Sequence, residues 1–193
     1  MLRHIYCLFL ILCYSATVYT QAITYSELVK KPISELTIEQ VNQTMLLRLN
    51  EMRAELKFKP LQYSYTIEKV GFYLMDHKTK WFKEDGGFDP YCHFDDDNNG
   101  VSNRFKLLNI QFEMNVISEK RFNGGGVYTR SEPLAGENLI TTNGSVYELC
   151  EAWRKSPGHW AHIIEKDFTH LGIAYRKDCP VLICNFVKFK SDK

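Results

Sequence analysis

Two short stretches decide how this chain is expected to fold: residues 136–139 read Gly-Glu-Asn-Leu, and residues 153–159 read Trp-Arg-Lys-Ser-Pro-Gly-His. The first stretch predicts a carboxylate, Glu137, held in a tight glycine turn. The second predicts a histidine, His159, on another glycine turn that follows the end of a helix. The two side chains are therefore expected to meet in one cleft of the folded domain.

The helix between these stretches has signals at both ends. Ser145 and Glu148 have the spacing of a capping box, and Ser156-Pro157-Gly158 is a stop signal. A further helical turn is predicted at about residues 159–165. The apolar residues at helical spacing, which predict the buried face, are Val146, Leu149, Cys150 and Trp153.

Upstream of these stretches, the pattern predicts two long helices and a polar loop. The first helix is expected at about Glu39–Leu56, because Thr37 and Gln40 form a capping box at its start. The second is expected at about Thr66–Trp81. Residues 84–103 are rich in Asp, Asn and Gly and predict a loop, followed by a short helix near 103–108.

Within the loop, Asp95, Asp97 and Asn99 resemble the first half of a calcium-binding loop, but the twelfth position is Lys106 instead of glutamate. We interpret this segment as a solvated acidic turn.

Two segments lack a clear pattern. Residues 22–38 are interpreted as an extended lead-in. Residues 113–135, with three glycines at 124–126, are interpreted as an inserted surface loop. The predicted organisation is a leader at 1–21, this lead-in, and one domain over 39–190.

The C-terminal part alternates between apolar and other residues, as strands do. Leu171, Ile173 and Tyr175 are expected to share one face of a strand. In the next strand the residues expected to share a face are Val181, Ile183, Asn185 and Val187. Helices followed by an antiparallel hairpin predict an α+β fold, in which the helices pack on a small antiparallel sheet.

The N-terminus predicts a secretory signal peptide. Arg3 and His4 precede an uncharged apolar run, Tyr6–Cys13, and small and polar residues follow. The run is short for a membrane span, so a retained anchor is the weaker alternative. We expect an extracellular or periplasmic protein with no transmembrane segment after cleavage.

The charge of the chain excludes one class of partner. Its 24 basic and 23 acidic residues give a net charge of +1, and loss of Arg3 with the leader makes the remainder neutral. A neutral chain has no basic excess for binding nucleic acid. The aromatic content of 13% favours a well-packed core.

Four cysteines follow the leader: Cys92, Cys150, Cys179 and Cys184. An even number in an exported protein favours disulfides, and four cysteines allow three pairings. The short spacing between Cys179 and Cys184 favours their pairing, which leaves Cys92 with Cys150. The alternative is four free buried thiols.

Several motifs in order resemble the CAP superfamily, or SCP domains, which include cysteine-rich secretory, antigen 5 and pathogenesis-related proteins. The resemblance covers about Thr44–Phe189 and is greatest to the shorter bacterial-type form. The motifs that carry it are residues 49–53, 60–61, His93, Arg104, 136–139, 153–159, 168–173 and 184–186.

The resemblance implies a three-layer α-β-α sandwich with a central cleft. In many members two histidines and two acidic residues of the cleft can bind a divalent metal. The matching positions here are His93, Glu137 and His159, with Ser156 where the second acid is expected. The resemblance therefore implies a site for a divalent ion such as zinc. We expect the ion to bind weakly, because one negative ligand is missing. Asn138, Ser156 and His162 are predicted to lie behind these residues.

Three functions are compatible with the sequence. The preferred one is a non-enzymatic binding module, whose cleft holds a lipid, a peptide or a cell-surface ligand. The second is a metal-dependent hydrolase or protease that uses the same cleft. The third is a structural interaction protein, in which the cleft is vestigial and residues 113–135 make the contacts.

Overall fold

The computed structural model describes residues 24–89, 91–120 and 127–189. The predicted leader, 1–21, and the three glycines at 124–126 lie outside the described residues. Within the described ranges, no helix is both long enough and apolar enough to cross a bilayer.

Helices and strands are interspersed along the described chain. The helices are α1 (Tyr25–Leu28), α2 (Ile38–Glu55), α3 (Tyr65–Asp76), α4 (Val101–Leu107), α5 (Val146–Lys155) and α6 (Pro157–Ile163). The strands are β1 (Gln62–Tyr63), β2 (Met114–Lys120), β3 (Val127–Pro133), β4 (Ala135–Thr141), β5 (His170–Ala174) and β6 (Val181–Val187).

Four of the strands form the central sheet, in the order β1-β5-β6-β4. The short β1 runs parallel to β5, and the other two pairings are antiparallel. The predicted C-terminal hairpin, β5 with β6, is therefore confirmed. Strand β4 lies at one edge of this sheet, and Glu137 on it faces Asn185 on β6.

Helices cover both faces of the sheet, as the predicted three-layer α-β-α sandwich requires. On one face, residues of α2, α5 and α6 pack on Leu182, Cys184 and Phe186 of β6. On the other, α3 packs on Val181 and Ile183. Strand β6 is buried along its whole length because both of its faces are covered.

Gly172 allows α3 to approach the sheet closely. A Cβ atom at this position would lie 2.1 Å from the backbone nitrogen of Glu68 and 2.4 Å from the carbonyl carbon of Ile67. Because both atoms belong to the backbone, no side-chain movement could make room. The distance between the α3 layer and the sheet therefore depends on glycine here.

The predicted helix starts are confirmed, with capping boxes at Thr37 and Ser145. The helix predicted over Thr66–Trp81 ends earlier, at Asp76. After it the chain turns inward, where the buried Lys78 donates hydrogen bonds to the carbonyls of Tyr91 and Phe94. The chain leaves the helix at this point, and Lys78 forms hydrogen bonds with these loop carbonyls where the sequence pattern predicts a last helical turn.

The extended lead-in predicted at 22–38 is wrong for the described part of that segment. Residues 25–28 are helical, and residues 33–35 form a 3₁₀ turn. Val29, Ile33 and Leu36 are buried against the α2 and α5 layer. The coiled backbone turns these apolar side chains toward one surface, which an extended segment would not do.

The loop predicted at 113–135 contains a two-stranded antiparallel ribbon, β2 with β3. Its base joins the main sheet, because Glu113 donates its N–H to the carbonyl of Lys188 and Leu134 donates to the carbonyl of Glu113. Backbone hydrogen bonds between the two strands hold this ribbon together. Its sequence lacks the alternation of apolar residues that predicts a strand, so its pattern indicates a loop.

Neither predicted disulfide forms; all four described cysteines are free and buried. The reason is their placement. Cys150 and Cys184 pack in the core on the α5 face of the sheet. Cys92 and Cys179 pack in the core on the α3 face. Each predicted pair would therefore have to cross the sheet, a separation too large for a disulfide. The alternative of four buried thiols is the arrangement seen.

Candidate functional site

An open cleft of about 770 Å³ runs along the edge strand β4, between α4 and α6. Histidines from two segments line it, namely His93 from the loop before α4, and His159 and His162 from α6. Ala135, Gly136 and Glu137 supply the wall at the sheet edge. The cleft thus unites the two stretches, 136–139 and 153–159, that the sequence singles out.

Glu137 lies in β4 and not in the predicted glycine turn. The glycine before it serves for close packing, since a Cβ on Gly136 would lie 2.7 Å from Cδ2 of the His162 ring. Strand pairing with β6 turns the Glu137 side chain toward the α3 and α4 layer, whereas its neighbour Asn138 faces the α5 and α6 layer.

The Glu137 carboxylate is buried, and both of its oxygens are engaged. Oε2 accepts hydrogen bonds from a guanidinium nitrogen of Arg104 and, at 2.7 Å, from Nδ2 of Asn185. Oε1 lies 3.1 Å from Nδ1 of His93. Burial by itself would raise the pKa of Glu137, but the hydrogen bonds from His93 and Asn185 and the charge of Arg104 hold it below its ordinary value.

Arg104 fixes the position of His93. Its Nη1 donates to the main-chain carbonyls of His93 at 2.8 Å and of Asn99 at 2.9 Å, while Nη2 bonds to Glu137. His93 is thus held at its backbone by Arg104 and at its ring by Glu137. Its side chain nevertheless stays 41% exposed and faces the cleft.

Asn138 connects the other two histidines from behind. Its Nδ2 donates to the carbonyl of His159 at 3.0 Å, and its Oδ1 lies 2.8 Å from Nδ1 of His162. Asn138 has no exposed surface. The buried amide of Asn138 therefore fixes the position of α6 against β4. Ser156, the N-cap of α6, lies at the cleft wall.

The edge of the sheet is further closed by Trp153 of α5. Its indole Nε1 donates to the carbonyl of Leu139 at 3.1 Å, and its ring lies 6.4 Å from that of His159. The motif tryptophan therefore satisfies a backbone group of an edge strand, which would otherwise stay unpaired in the protein interior.

The two histidines of α6 favour their neutral form. Burial lowers the pKa of His159 and of His162, and the charge of His93 lowers both further. Since Glu137 is paired with Arg104, the cleft presents the neutral imidazoles of His159 and His162, together with amides and hydroxyls, to a ligand.

The residues predicted to hold a metal ion do not fit that role as arranged. Among the described residues, no group of three His, Cys, Asp or Glu side chains is placed to hold an ion. Glu137 already bonds to a guanidinium through Oε2, and this positive charge opposes the approach of a cation to the carboxylate. Divalent metal binding by His93, Glu137 and His159 stays a prediction.

Two residues of this network, Arg104 and Asn185, are absent from the predicted site. Asn185 carries a signal in the sequence, because it is a polar residue on an otherwise apolar strand face. Arg104 also carries a signal, because it is one of the motif residues on which the family resemblance rests. The acidic turn before α4 is internal in part, because the buried Asp95 accepts bonds from the backbone and side chain of Asn99.

Comparison with known proteins gives one family. The model of the CAP family, described as the cysteine-rich secretory protein family, matches residues 46–186, well over half of the chain. No curated protein matches the sequence significantly.

Three solved structures that resemble this chain come from bacteria. An outer surface protein from Borrelia burgdorferi is 18% identical with a TM-score of 0.56, covering 80% of this chain and 97% of that one. An extracellular protein containing an SCP domain, from Bacillus anthracis, is 18% identical with a TM-score of 0.55, covering 79% and 44%. A cysteine-rich secretory protein from Staphylococcus aureus is 15% identical with a TM-score of 0.51, covering 79% and 41%. The chain spans less than half the length of the last two proteins.

Proposed function

Since this chain belongs to the cysteine-rich secretory protein (CAP) family, we propose that it is a secreted, non-enzymatic binding module that holds a short peptide segment in the cleft along β4. The proposal includes export by the predicted leader, in keeping with the extracellular and surface proteins that share the fold.

The observation that carries this proposal is the complete engagement of Glu137. A hydrolase of the predicted kind would use this carboxylate as a base or as a ligand of a metal-activated water. Here both oxygens accept hydrogen bonds, Oε2 from the buried Arg104 and Asn185 and Oε1 from His93 at the cleft wall, and the pKa lies below its ordinary value. The carboxylate is therefore a poor proton acceptor at neutral pH, which favours binding over hydrolysis.

A peptide is the ligand class that matches the lining best. The cleft offers hydrogen-bond donors and acceptors from His93, His159, Ser156 and Asn103, and it follows the backbone of an edge strand. Peptides bring alternating N–H and carbonyl groups, which such surfaces bind through main-chain hydrogen bonds. A lipid chain would require a more enclosed and more apolar cavity than this open cleft.

The test is a titration with a named probe, N-acetyl-trialanine amide, followed by amide chemical shifts at millimolar concentration. We expect shifts at Gly136, Ser156 and His159, since these residues line the cleft. The shifts should vanish in His159→Ala and persist in His170→Ala, whose ring contacts Phe189 instead. An absence of shifts in the cleft, or the same shifts with palmitate in place of the peptide, would contradict the proposal.

The hydrolase alternative is tested separately by calorimetric titration with Zn²⁺. We expect at most weak binding, because Arg104 neutralises the one carboxylate of the set. Tight binding that is lost in both Glu137→Gln and His159→Ala would instead establish the predicted metal site, and substrate screens would then be warranted.

A further inference from the structure

The wall of the cleft that carries His93 is a turn and not a helix or a strand. Residues 91–94 form this turn, in which the N–H of Phe94 donates to the carbonyl of Tyr91 at 2.9 Å. His93 and Phe94 both line the cleft. Because a single turn has few hydrogen bonds of its own, its position depends on contacts with the neighbouring elements.

Lys78, which follows the end of α3, bonds to both ends of this turn. It is 9% exposed, and its Nζ donates to the carbonyls of Tyr91 at 3.2 Å and of Phe94 at 3.0 Å. Arg104 donates to the carbonyl of His93, which lies between them. Two buried cations therefore hold three of the four carbonyls of the turn.

The residues on either side of Lys78 bond to the same loop. The N–H of Asp96 donates to the carbonyl of His77 at 2.9 Å. The Asp96 carboxylate accepts hydrogen bonds from the backbone nitrogen of Thr79 at 3.1 Å and from the Thr79 hydroxyl at 2.7 Å. Residues 77–79 thus join the end of α3 to the loop of the cleft wall, with the Lys78 ammonium at the centre of this connection.

The charge of Lys78 is satisfied by this turn and not by a carboxylate. Within the described part of the chain its ammonium forms no ion pair, and the centroid of the Trp81 ring lies 5.8 Å from Nζ. Burying a charge costs free energy unless hydrogen bonds compensate for the lost water. Here the two carbonyls of the turn supply those bonds, whereas packing alone would need only an apolar side chain.

We propose that Lys78 is a positioning residue of the cleft, which acts on ligand binding through the turn at 91–94 and the ring of His93. This inference rests on the proposed peptide-binding function. Lys78 does not line the cleft, whereas His93 does, and its ring is held by Glu137 at 3.1 Å. Loss of the ammonium frees the backbone that carries this ring, so a ligand must order the turn when it binds and its affinity falls.

The first test uses the protein without a ligand. Lys78→Met keeps the apolar stem of the side chain and removes the ammonium. We expect the amide of Phe94 to exchange with deuterium at least tenfold faster relative to the amides of β6, and the ring resonances of His93 to move. Lys80→Met, the same substitution at an exposed lysine two residues away, is the matched control and should change neither.

The second test measures affinity for the probe N-acetyl-trialanine amide by chemical-shift titration. We expect binding three- to tenfold weaker in Lys78→Met. In a His93→Ala background the same substitution should have little further effect, since residues that act through one another are not additive. Leu36→Ala, which opens a cavity in the core on the opposite face of the sheet, controls for lost stability and should keep the affinity.

Unchanged exchange of the Phe94 amide in a folded Lys78→Met variant would overturn the proposal, and so would full additivity with His93→Ala. If Lys78→Met does not fold, Lys78→Gln retains one amide donor and should show a smaller effect of the same sign, and no effect there would also overturn the proposal. If the unaltered protein does not bind the tripeptide, the proposed function fails. The exchange of Phe94 and the ring resonances of His93 then decide by themselves whether Lys78 positions this wall.

Discussion

Replacement of Arg104 by methionine should destabilise the fold more than any change at an exposed ion pair. Arg104 has no exposed surface, and its guanidinium bonds to the carbonyls of His93 and Asn99 and to the buried Glu137. Removing one partner of a buried pair leaves an unpaired charge, which costs about 3–5 kcal/mol. At about 2–4 °C per kcal/mol in a domain of this size, the melting temperature should fall by about 6–20 °C.

The assay is urea and thermal unfolding followed by circular dichroism. Arg154→Met is the matched control, because this arginine pairs with Glu55 at 3.0 Å, with its side chain 30% exposed and that of Glu55 52% exposed. The exposed pair should be worth less than about 1 kcal/mol. A double variant, Arg104→Met with Glu137→Gln, removes the unpaired charge and should be more stable than Arg104→Met alone.

The pH dependence gives a second check with a definite sign. In the unaltered protein the pKa of Glu137 is lowered, so the stability it contributes is present above the unfolded pKa and is lost as pH falls through the folded pKa. In Arg104→Met the burial of Glu137 is no longer opposed by the guanidinium, so its pKa should rise. The difference in the free energy of unfolding between Arg104→Met and the unaltered protein should therefore shrink on acidification. This reasoning would be refuted if Arg104→Met lost as little stability as Arg154→Met, or if the difference grew at low pH.

Three other predictions concern the layers, the cleft histidines and the thiols. Gly172→Ala should cost about 1–3 kcal/mol or more, because its Cβ meets the backbone of α3, whereas Gly158→Ala, with nothing within 4 Å, should be neutral or slightly stabilising in the unfolding assay. Because folding lowers the pKa values of His159 and His162, their neutral forms contribute fully to the free energy of unfolding above about pH 6.5. This contribution should be lost as pH falls through the pKa values of the folded state. An NMR titration midpoint above 6.5 would contradict this. Without reductant, the four described cysteines should be alkylated quantitatively in denaturant but slowly in the native state; the absence of free thiols after unfolding would show that they are paired.

Local signals in the sequence were sufficient for most helices and for the C-terminal hairpin. The capping boxes at Thr37 and Ser145 predict helix starts that the structure has, because a cap depends on residues three positions apart. The alternation around Ile173 and Ile183 predicts strands, because the side chains of a strand point to alternate faces. The two motif stretches also predict correctly that Glu137 and His159 share a cleft.

Only the tertiary structure decided what these side chains do. Whether Glu137 is a free ligand or the partner of Arg104 depends on the packing of α4 beside β4, two elements that no local pattern connects. The failure of the predicted disulfides has the same origin, since the face of the sheet on which Cys92 or Cys150 lies is set by layer packing and not by spacing along the chain. Caps and alternation are local interactions, whereas ion pairs and thiol placement depend on contacts between residues distant in sequence, which form only when the layers assemble.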